Sequence, residues 1–319
     1  MRQEVFRARA EDRWHETEEV IKRLDRKKKA GTEAFPVLYR QLCHDLAIAR
    51  DRQFDASLVD RLNRLALRGH QHLYRLRRFS LAELGLMIRF HFPAAVRREY
   101  RAILIAVMLL FGSMVLVGFL VQSRPALVYS IIHPEQVRQM EAMYNPAWEH
   151  FLKPYDQESR LAMFGFYILN NVGIAFRIFA GGILFGVGSI LMVLYNGVYL
   201  GAVSGHLILI GYGETFLSFV SSHSALELMA IALSGVTGLK LGWSLIAPGP
   251  LRRVDSLKRT AFQVMPLLYG STVMLLLAAI VEAFWSSLQL PIYVKYGFGL
   301  GWWLALLTYF FFSGRRHGV

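Results

Sequence analysis

The fold is decided by the stretch AILIAVMLLFGSMVLVGFLVQS, residues 102–123, which runs for 22 residues without a charged side chain. Arg101 and Arg124 bound it on either side. About 20 apolar residues in a helix are enough to cross the hydrocarbon core of a bilayer. The sequence therefore predicts a transmembrane helix here.

Further apolar segments follow and predict five more spans. The run 178–205 is uncharged for 28 residues, which is too long for one crossing, and we divide it at Asn196-Gly197. The second piece, 198–213, is short and rich in glycine, so a re-entrant segment is the alternative to a full crossing. The predicted spans are 102–123, 174–195, 198–213, 223–247, 260–286 and 296–314.

The placement of Lys and Arg predicts the topology, because cytoplasmic loops carry an excess of both. The loop 248–260 holds four basic residues against one acid and is expected inside. The segment 124–160 is balanced in charge and is expected outside, with an amphipathic stretch at 134–152 that suits an interfacial or a partner-binding helix. With Arg315 and Arg316 inside as well, both termini are cytoplasmic only if 198–213 crosses fully.

Residues 1–98 predict a separate cytoplasmic domain, followed by the transmembrane domain 99–319. Residues 1–101 carry 23 Lys and Arg against 14 Asp and Glu. Such a basic domain beside a membrane suits the anionic leaflet, and no nucleic-acid-binding motif accompanies it. Apolar stripes at helical spacing and two capping-box patterns, Ser57–Asp60 and Ser80–Glu83, predict a small helical bundle. The predicted fold class is therefore all-α, a polytopic membrane bundle with a small N-terminal helical domain.

Polar side chains inside the apolar segments form the candidate functional site. Such side chains are costly in the hydrocarbon region, so they face the bundle interior and mark functional sites. His223 and Glu227 are four residues apart and share one helix face. The full candidate set, which the predicted topology brings to the outer side, is Asn170, Asn171, Arg177, Glu214, His223, Glu227 and Glu282.

Three interpretations of this set stay open. The side chains satisfy one another and stabilise the bundle, or they line a polar cavity for a transported solute, ion or lipid. In the third interpretation His223, Glu227 and Glu282 bind a divalent metal, since histidine and glutamate are common zinc ligands. The sequence has no His-Glu-x-x-His pattern and no candidate nucleophile, so we predict no catalytic residue and no cofactor.

Glycines at four-residue spacing predict close helix packing. Small residues four apart allow two helix backbones to approach, either within one bundle or between the subunits of an oligomer. The packing and turn residues predicted on this basis are Gly182, Gly186, Asn196, Gly197, Gly201, Gly238 and Gly242.

Three stretches together resemble the stage II sporulation protein M family of bacterial membrane proteins. They are NNVGIAFRIFAGGILFGVGSILMVLYNGVYLGA (170–202), SHSALELMAIALSGVTGLKLG (222–242) and AAIVEAF (278–284). The resemblance covers about 100–315. The N-terminal domain is similar to that of the longer, non-sporulation branch of this family.

The resemblance implies a membrane scaffold rather than an enzyme. The family member of spore formers holds peptidoglycan-degrading proteins at the membrane, and the longer relatives are often encoded beside MoxR-type ATPases and von Willebrand-type domain proteins. We therefore expect a homo-oligomeric, non-enzymatic scaffold of the bacterial inner membrane with partners of these kinds. A transporter or channel is the first alternative, and an intramembrane metal-dependent hydrolase is the second.

Overall fold

A computed structural model describes residues 3–25, 34–73, 81–147 and 157–315. These residues contain helices and no strand, which confirms the all-α prediction. The chain divides into two compact units, Met1–Ser80 and Leu81–Val319.

The first unit is built from three helices, α1 (Gln3–Asp25), α2 (Phe35–Asp51) and α3 (Ala56–Leu73). Each helix contributes an apolar stripe to one core, as the sequence predicts, with Trp14, Leu42 and Leu62 all fully buried. The Trp14 indole donates a hydrogen bond of 2.9 Å to Asp45, which satisfies both buried polar groups. One predicted feature, the helix cap at Ser80, lies outside the described residues.

The second unit begins at residue 81, earlier than the predicted boundary at 98. Helix α4 (Leu81–Leu86), a π-helical turn (Met87–His91) and α5 (Phe92–Arg98) lead into the membrane bundle. Phe92 lies against Gly270, where an added Cβ would approach its ring within 2.2 Å, and it contacts Phe310 edge to face. Residues 81–98 therefore belong with the membrane bundle, because Phe92, Ala95 and Val96 are buried in its core.

Five described helices are long and apolar enough to cross a membrane, so the protein is a multi-pass membrane protein. They are α6 (Tyr100–Ser123), α9 (Gln157–Gly181), α10 (Val187–Leu209), α11 (Gly213–Ile246), and α12 (Arg253–Ile280) with the π-helical turn Val281–Ser286 that continues it.

The sixth predicted span, 296–314, corresponds to α13 (Ile292–Phe312), which is not among those five. Its glycines, tyrosines and tryptophans lower its hydropathy. At its start the Lys295 ammonium donates to the Ser286 carbonyl at 3.0 Å, and at its end the Phe310 carbonyl accepts from Arg97 at 2.8 Å. Because Ser286 ends the π-helical turn after α12 and Arg97 precedes α6, α13 runs between the two ends of the bundle, packed against α11.

The predicted break between the second and third spans, at Asn196-Gly197, is wrong. The chain turns at residues 182–186, where Phe185 and Gly186 take positive φ values of 53° and 84°. Asn196 instead lies inside α10, where its amide donates to the Met192 carbonyl at 2.7 Å. The segments 174–195 and 198–213 are therefore not the spans; the helices are α9 and α10. At 23 residues and about 35 Å, α10 has the length of a full crossing.

Helix α11 is the centre of the bundle and packs against α6, α9, α10, α12 and α13. The predicted glycines make this packing possible. A Cβ on Gly182 would lie 2.2 Å from the Gly238 carbonyl oxygen, and one on Gly242 would lie 2.1 Å from the Gly186 nitrogen. Gly197 and Gly201 meet the backbone of α6 in the same way. All of these glycines are thus occupied by contacts within the chain.

The predicted outward segment contains a short α7 (Val128–Ile131) and α8 (Pro134–Tyr144). Helix α8 ends before the predicted limit at 152, and residues 148–156 lie outside the described residues. Its apolar face packs on α10 and α11, with Val137 buried and the Tyr144 ring edge-on to Phe216 at 5.1 Å. That face therefore covers the bundle, not a lipid surface.

Candidate functional site

The structure brings His223, Glu227 and Glu282 together in the core of the second unit. His223 and Glu227 lie one turn apart on the central helix α11, as their spacing predicts. Glu282 comes from the π-helical turn that ends α12. A π-helical turn inserts one residue into a helix and re-aims the side chains that follow, and such turns are frequent at functional sites.

The three side chains form a small triangle of possible ligand atoms. His223 Nε2 lies 3.8 Å from Glu227 Oε2 and 3.9 Å from Glu282 Oε1. One ligand atom from each residue falls within 4.8 Å of the others. The side chains are 3%, 21% and 11% exposed, respectively. These three residues are the only group of this kind among the described residues.

A second layer of polar groups holds this triangle. His223 Nδ1 lies 3.1 Å from Ser286 Oγ. Asn171, on α9, lies close to the Glu282 carboxylate, and the Asn170 amide donates to Asn171 Oδ1 at 2.9 Å. The predicted asparagine pair therefore lies beside Glu282 and inside a span, not in front of one, because α9 begins at Gln157.

Two predicted members do not join the cluster. Arg177 is exposed on α9, six residues beyond Asn171 and so on another face of the helix. Glu214 is exposed in the first turn of α11, nine residues before His223. Ser286 was missed by the sequence analysis. Its position four residues after Glu282 was a usable signal, because that spacing places two side chains on one helix face.

An ion pair lies at the opposite end of α11. The Lys240 ammonium and Arg98 both donate to the Glu99 carboxylate, which precedes α6. Burial by itself raises the pKa of Glu99, but these two hydrogen bonds outweigh it and hold the pKa below its ordinary value of 4.5. Glu99 is therefore a carboxylate that ties α6 to α11.

Comparison with known proteins gives two family matches. A family model described as Stage II sporulation protein M matches residues 106–287, which is more than half of the chain and contains every residue of the triangle. A second model, described as a domain of unknown function (DUF8413), matches residues 4–75, the three-helix first unit. No curated protein and no solved structure matches the chain.

Proposed function

Because the chain belongs to the stage II sporulation protein M family, we propose that it is a non-enzymatic membrane scaffold that holds envelope and cytoplasmic proteins together. The observation that carries this proposal is α8, a helix outside the spans that is fastened to the bundle and presents a polar face. The first unit, folded separately, supplies a second surface for partners.

Helix α8 is fastened by both polar and apolar contacts. Glu141 accepts a hydrogen bond from His206 Nε2 of α10 at 2.6 Å, and the Thr215 hydroxyl of α11 donates to the Tyr144 carbonyl at 2.6 Å. Together with the buried Val137, these contacts fix the helix at three points along its length. Fixing a surface before binding lowers the entropy cost of association, as a docking surface requires.

The face of α8 that points away from the bundle is polar. It is formed by Glu135, Gln136, Arg138 and Gln139, all exposed. Glu135 and Arg138 form an ion pair across one turn. The partner we propose for this face is an envelope protein with a polar, charge-patterned surface, whose contacts gain specificity from complementary charge.

The sidedness that we propose follows from the basic residues at one end of the bundle. Arg177 near the end of α9, Lys240 near the end of α11, and Arg252 and Arg253 at the start of α12 all lie at the end where α6 begins. The positive-inside rule makes that end cytoplasmic. With α13 as the sixth crossing, both termini lie in the cytoplasm of the bacterial inner membrane and α8 lies outside.

The cytoplasmic partners we propose for the first unit are MoxR-type ATPases or von Willebrand-type domain proteins. Removing residues 1–80 from the tagged protein should release such partners and leave envelope partners bound.

We also propose that the protein is a homo-oligomer, and light scattering on the same preparations measures the mass of the particle. Its interface has to lie outside the glycine contacts, which are already filled within the chain.

The decisive experiment purifies the tagged protein from its own membranes and identifies proteins present at near-stoichiometric amounts. The double variant Glu135→Arg with Arg138→Glu keeps the pair within α8 while reversing the charges that a partner meets. The matched control is Arg124→Glu, an exposed charge reversal outside α8. Loss of an envelope partner from the double variant alone supports the scaffold.

A protein that carries no partner in any preparation would overturn the scaffold and favour the transporter. Solute flux into liposomes is the measurement that then decides. The glycine contacts argue against a transporter, because they lock α11 against α9 and the turn that follows it. Moving those helices would break backbone contacts at Gly238 and Gly242 together.

A further inference from the structure

We propose that His223, Glu227 and Glu282 bind one divalent cation of the zinc class inside the membrane bundle, joining α11 to the end of α12. The site does not depend on the scaffold role. The cation would act as a cross-link between two helices, and partner binding is measured separately from it.

The spacing of the possible ligand atoms fits such a cation. Nitrogen and oxygen ligands lie roughly 2.0–2.2 Å from zinc, so two ligands of a tetrahedral ion are about 3.3 Å apart. The separations from His223 Nε2 to the two carboxylates are 3.8 and 3.9 Å. These separations exceed a hydrogen bond and exceed the ligand spacing by about half an ångström. Small rotations of the two glutamate side chains would close the triangle around an ion.

His223 is oriented as a metal ligand. The side chain is 3% exposed, and Nε2 lies 3.8 and 3.9 Å from the two carboxylates, beyond hydrogen-bond distance of either. When Nδ1–H donates to Ser286 Oγ, the lone pair of the neutral ring lies on Nε2. Metal-binding histidines are commonly fixed in this way, by a hydrogen bond from the other ring nitrogen.

Glu282 carries an unsatisfied buried atom. Its Oε2 atom is buried and has no hydrogen-bond partner among the described residues. The Asn171 side chain, on α9, lies close to this carboxylate. A buried oxygen without a partner is costly, and coordination to a cation is one of the few ways to compensate for it.

The negative charges of Glu227 and Glu282 also favour a bound cation. Two carboxylates share an apolar interior, and within the described residues no lysine or arginine forms an ion pair with either of them. Lys295 packs near Ser286, but its ammonium donates to the Ser286 carbonyl and not to a carboxylate of the site. Buried charges are normally paired or bound to a metal, and one divalent cation balances two carboxylates.

The ligand set selects the class of metal. One imidazole nitrogen and two carboxylate oxygens suit zinc and neighbouring divalent transition metals, whereas calcium and magnesium prefer oxygen alone. Three protein ligands leave a fourth position for water. We therefore choose Zn²⁺ as the probe and Mg²⁺ as the discriminating competitor.

The test measures metal on the full-length protein purified in detergent without chelator. Elemental analysis should find about one transition metal per chain. After chelation, Zn²⁺ should rebind and raise the melting temperature, while Mg²⁺ at the same concentration should not. The variants Glu227→Gln and Glu282→Gln should each weaken zinc binding at least tenfold, and the exposed Glu214→Gln should leave it unchanged.

The variant Ser286→Ala keeps all three proposed ligands. It provides the test of zinc binding if the glutamine variants fail to fold. Loss of the Ser286 hydrogen bond should weaken zinc binding by about 10–100-fold, the usual effect of removing such a support. The proposal is overturned if the chelated wild type binds no zinc. It is equally overturned if Glu214→Gln weakens binding as much as the ligand variants, or if Ser286→Ala binds zinc like the wild type.

Discussion

Adding one methyl group at Gly182 should destabilise the bundle, because no space exists for it. A Cβ there would lie 2.2 Å from the Gly238 carbonyl oxygen and 2.6 Å from its Cα, both backbone atoms. An ordinary contact needs about 3.4 Å or more, so α11 and the end of α9 must separate by about 1 Å. Such overpacking costs about 1–3 kcal/mol.

The matched control is Gly112→Ala on α6, where an added Cβ meets nothing within 4 Å. Alanine favours a helix over glycine by up to about 1 kcal/mol, so this variant should be neutral or slightly more stable. Stability is measured by heating both variants in detergent and following the loss of the folded peak on size exclusion. At about 2–4 °C per kcal/mol, Gly182→Ala should melt roughly 2–12 °C below wild type. Equal melting temperatures for the two variants would refute the close approach.

Three further predictions concern other contacts. Glu99→Gln should lower the free energy of unfolding at neutral pH by about 1–2 kcal/mol, because the ion pair is lost. Since the pKa of Glu99 is depressed in the folded protein, the stability advantage of the wild type should shrink as pH falls below 4.5. A stability difference that does not change with pH would contradict this. Glu141→Ala should release α8 and speed proteolysis at residues 128–147, with cleavage unchanged if the contact is unimportant. Trp14→Ala should cost about 3–5 kcal/mol in the first unit and leave Asp45 without its indole donor, as measured by loss of helical circular dichroism on heating.

The apolar runs predicted six spans, and five of the described helices are long and apolar enough to cross a membrane. The break between the second and third spans could not be placed from the sequence. Asn-Gly is a strong turn signal in soluble proteins, and that signal favoured a break at Asn196-Gly197. In the structure the Asn196 amide bonds to the turn before it, and Gly197 is needed for the approach of α6. Neither role is visible without knowing which helices touch.

The candidate site was predicted in part for a similar reason. Helical spacing was enough to pair His223 with Glu227, and shared depth was enough to add Glu282. Arg177 was included because the predicted span began at 174, whereas α9 begins at Gln157 and places Arg177 near its other end. Glu214 was included because it is close in sequence to His223, but it lies in the first turn of α11, which begins ten residues before the predicted span.

Helix α11 and α12 with its π-helical turn each contain 34 residues, and the two pack side by side. At 1.5 Å per residue each is about 51 Å long, against a hydrocarbon core of about 30 Å. Such a pair tilts, extends through the headgroup layer, or thickens the bilayer around it, and each response carries a small energy for every ångström of mismatch. The first turns of both helices carry charged side chains, Glu214 in α11 and Arg253 in α12, so these ends suit the headgroup layer and not the hydrocarbon core.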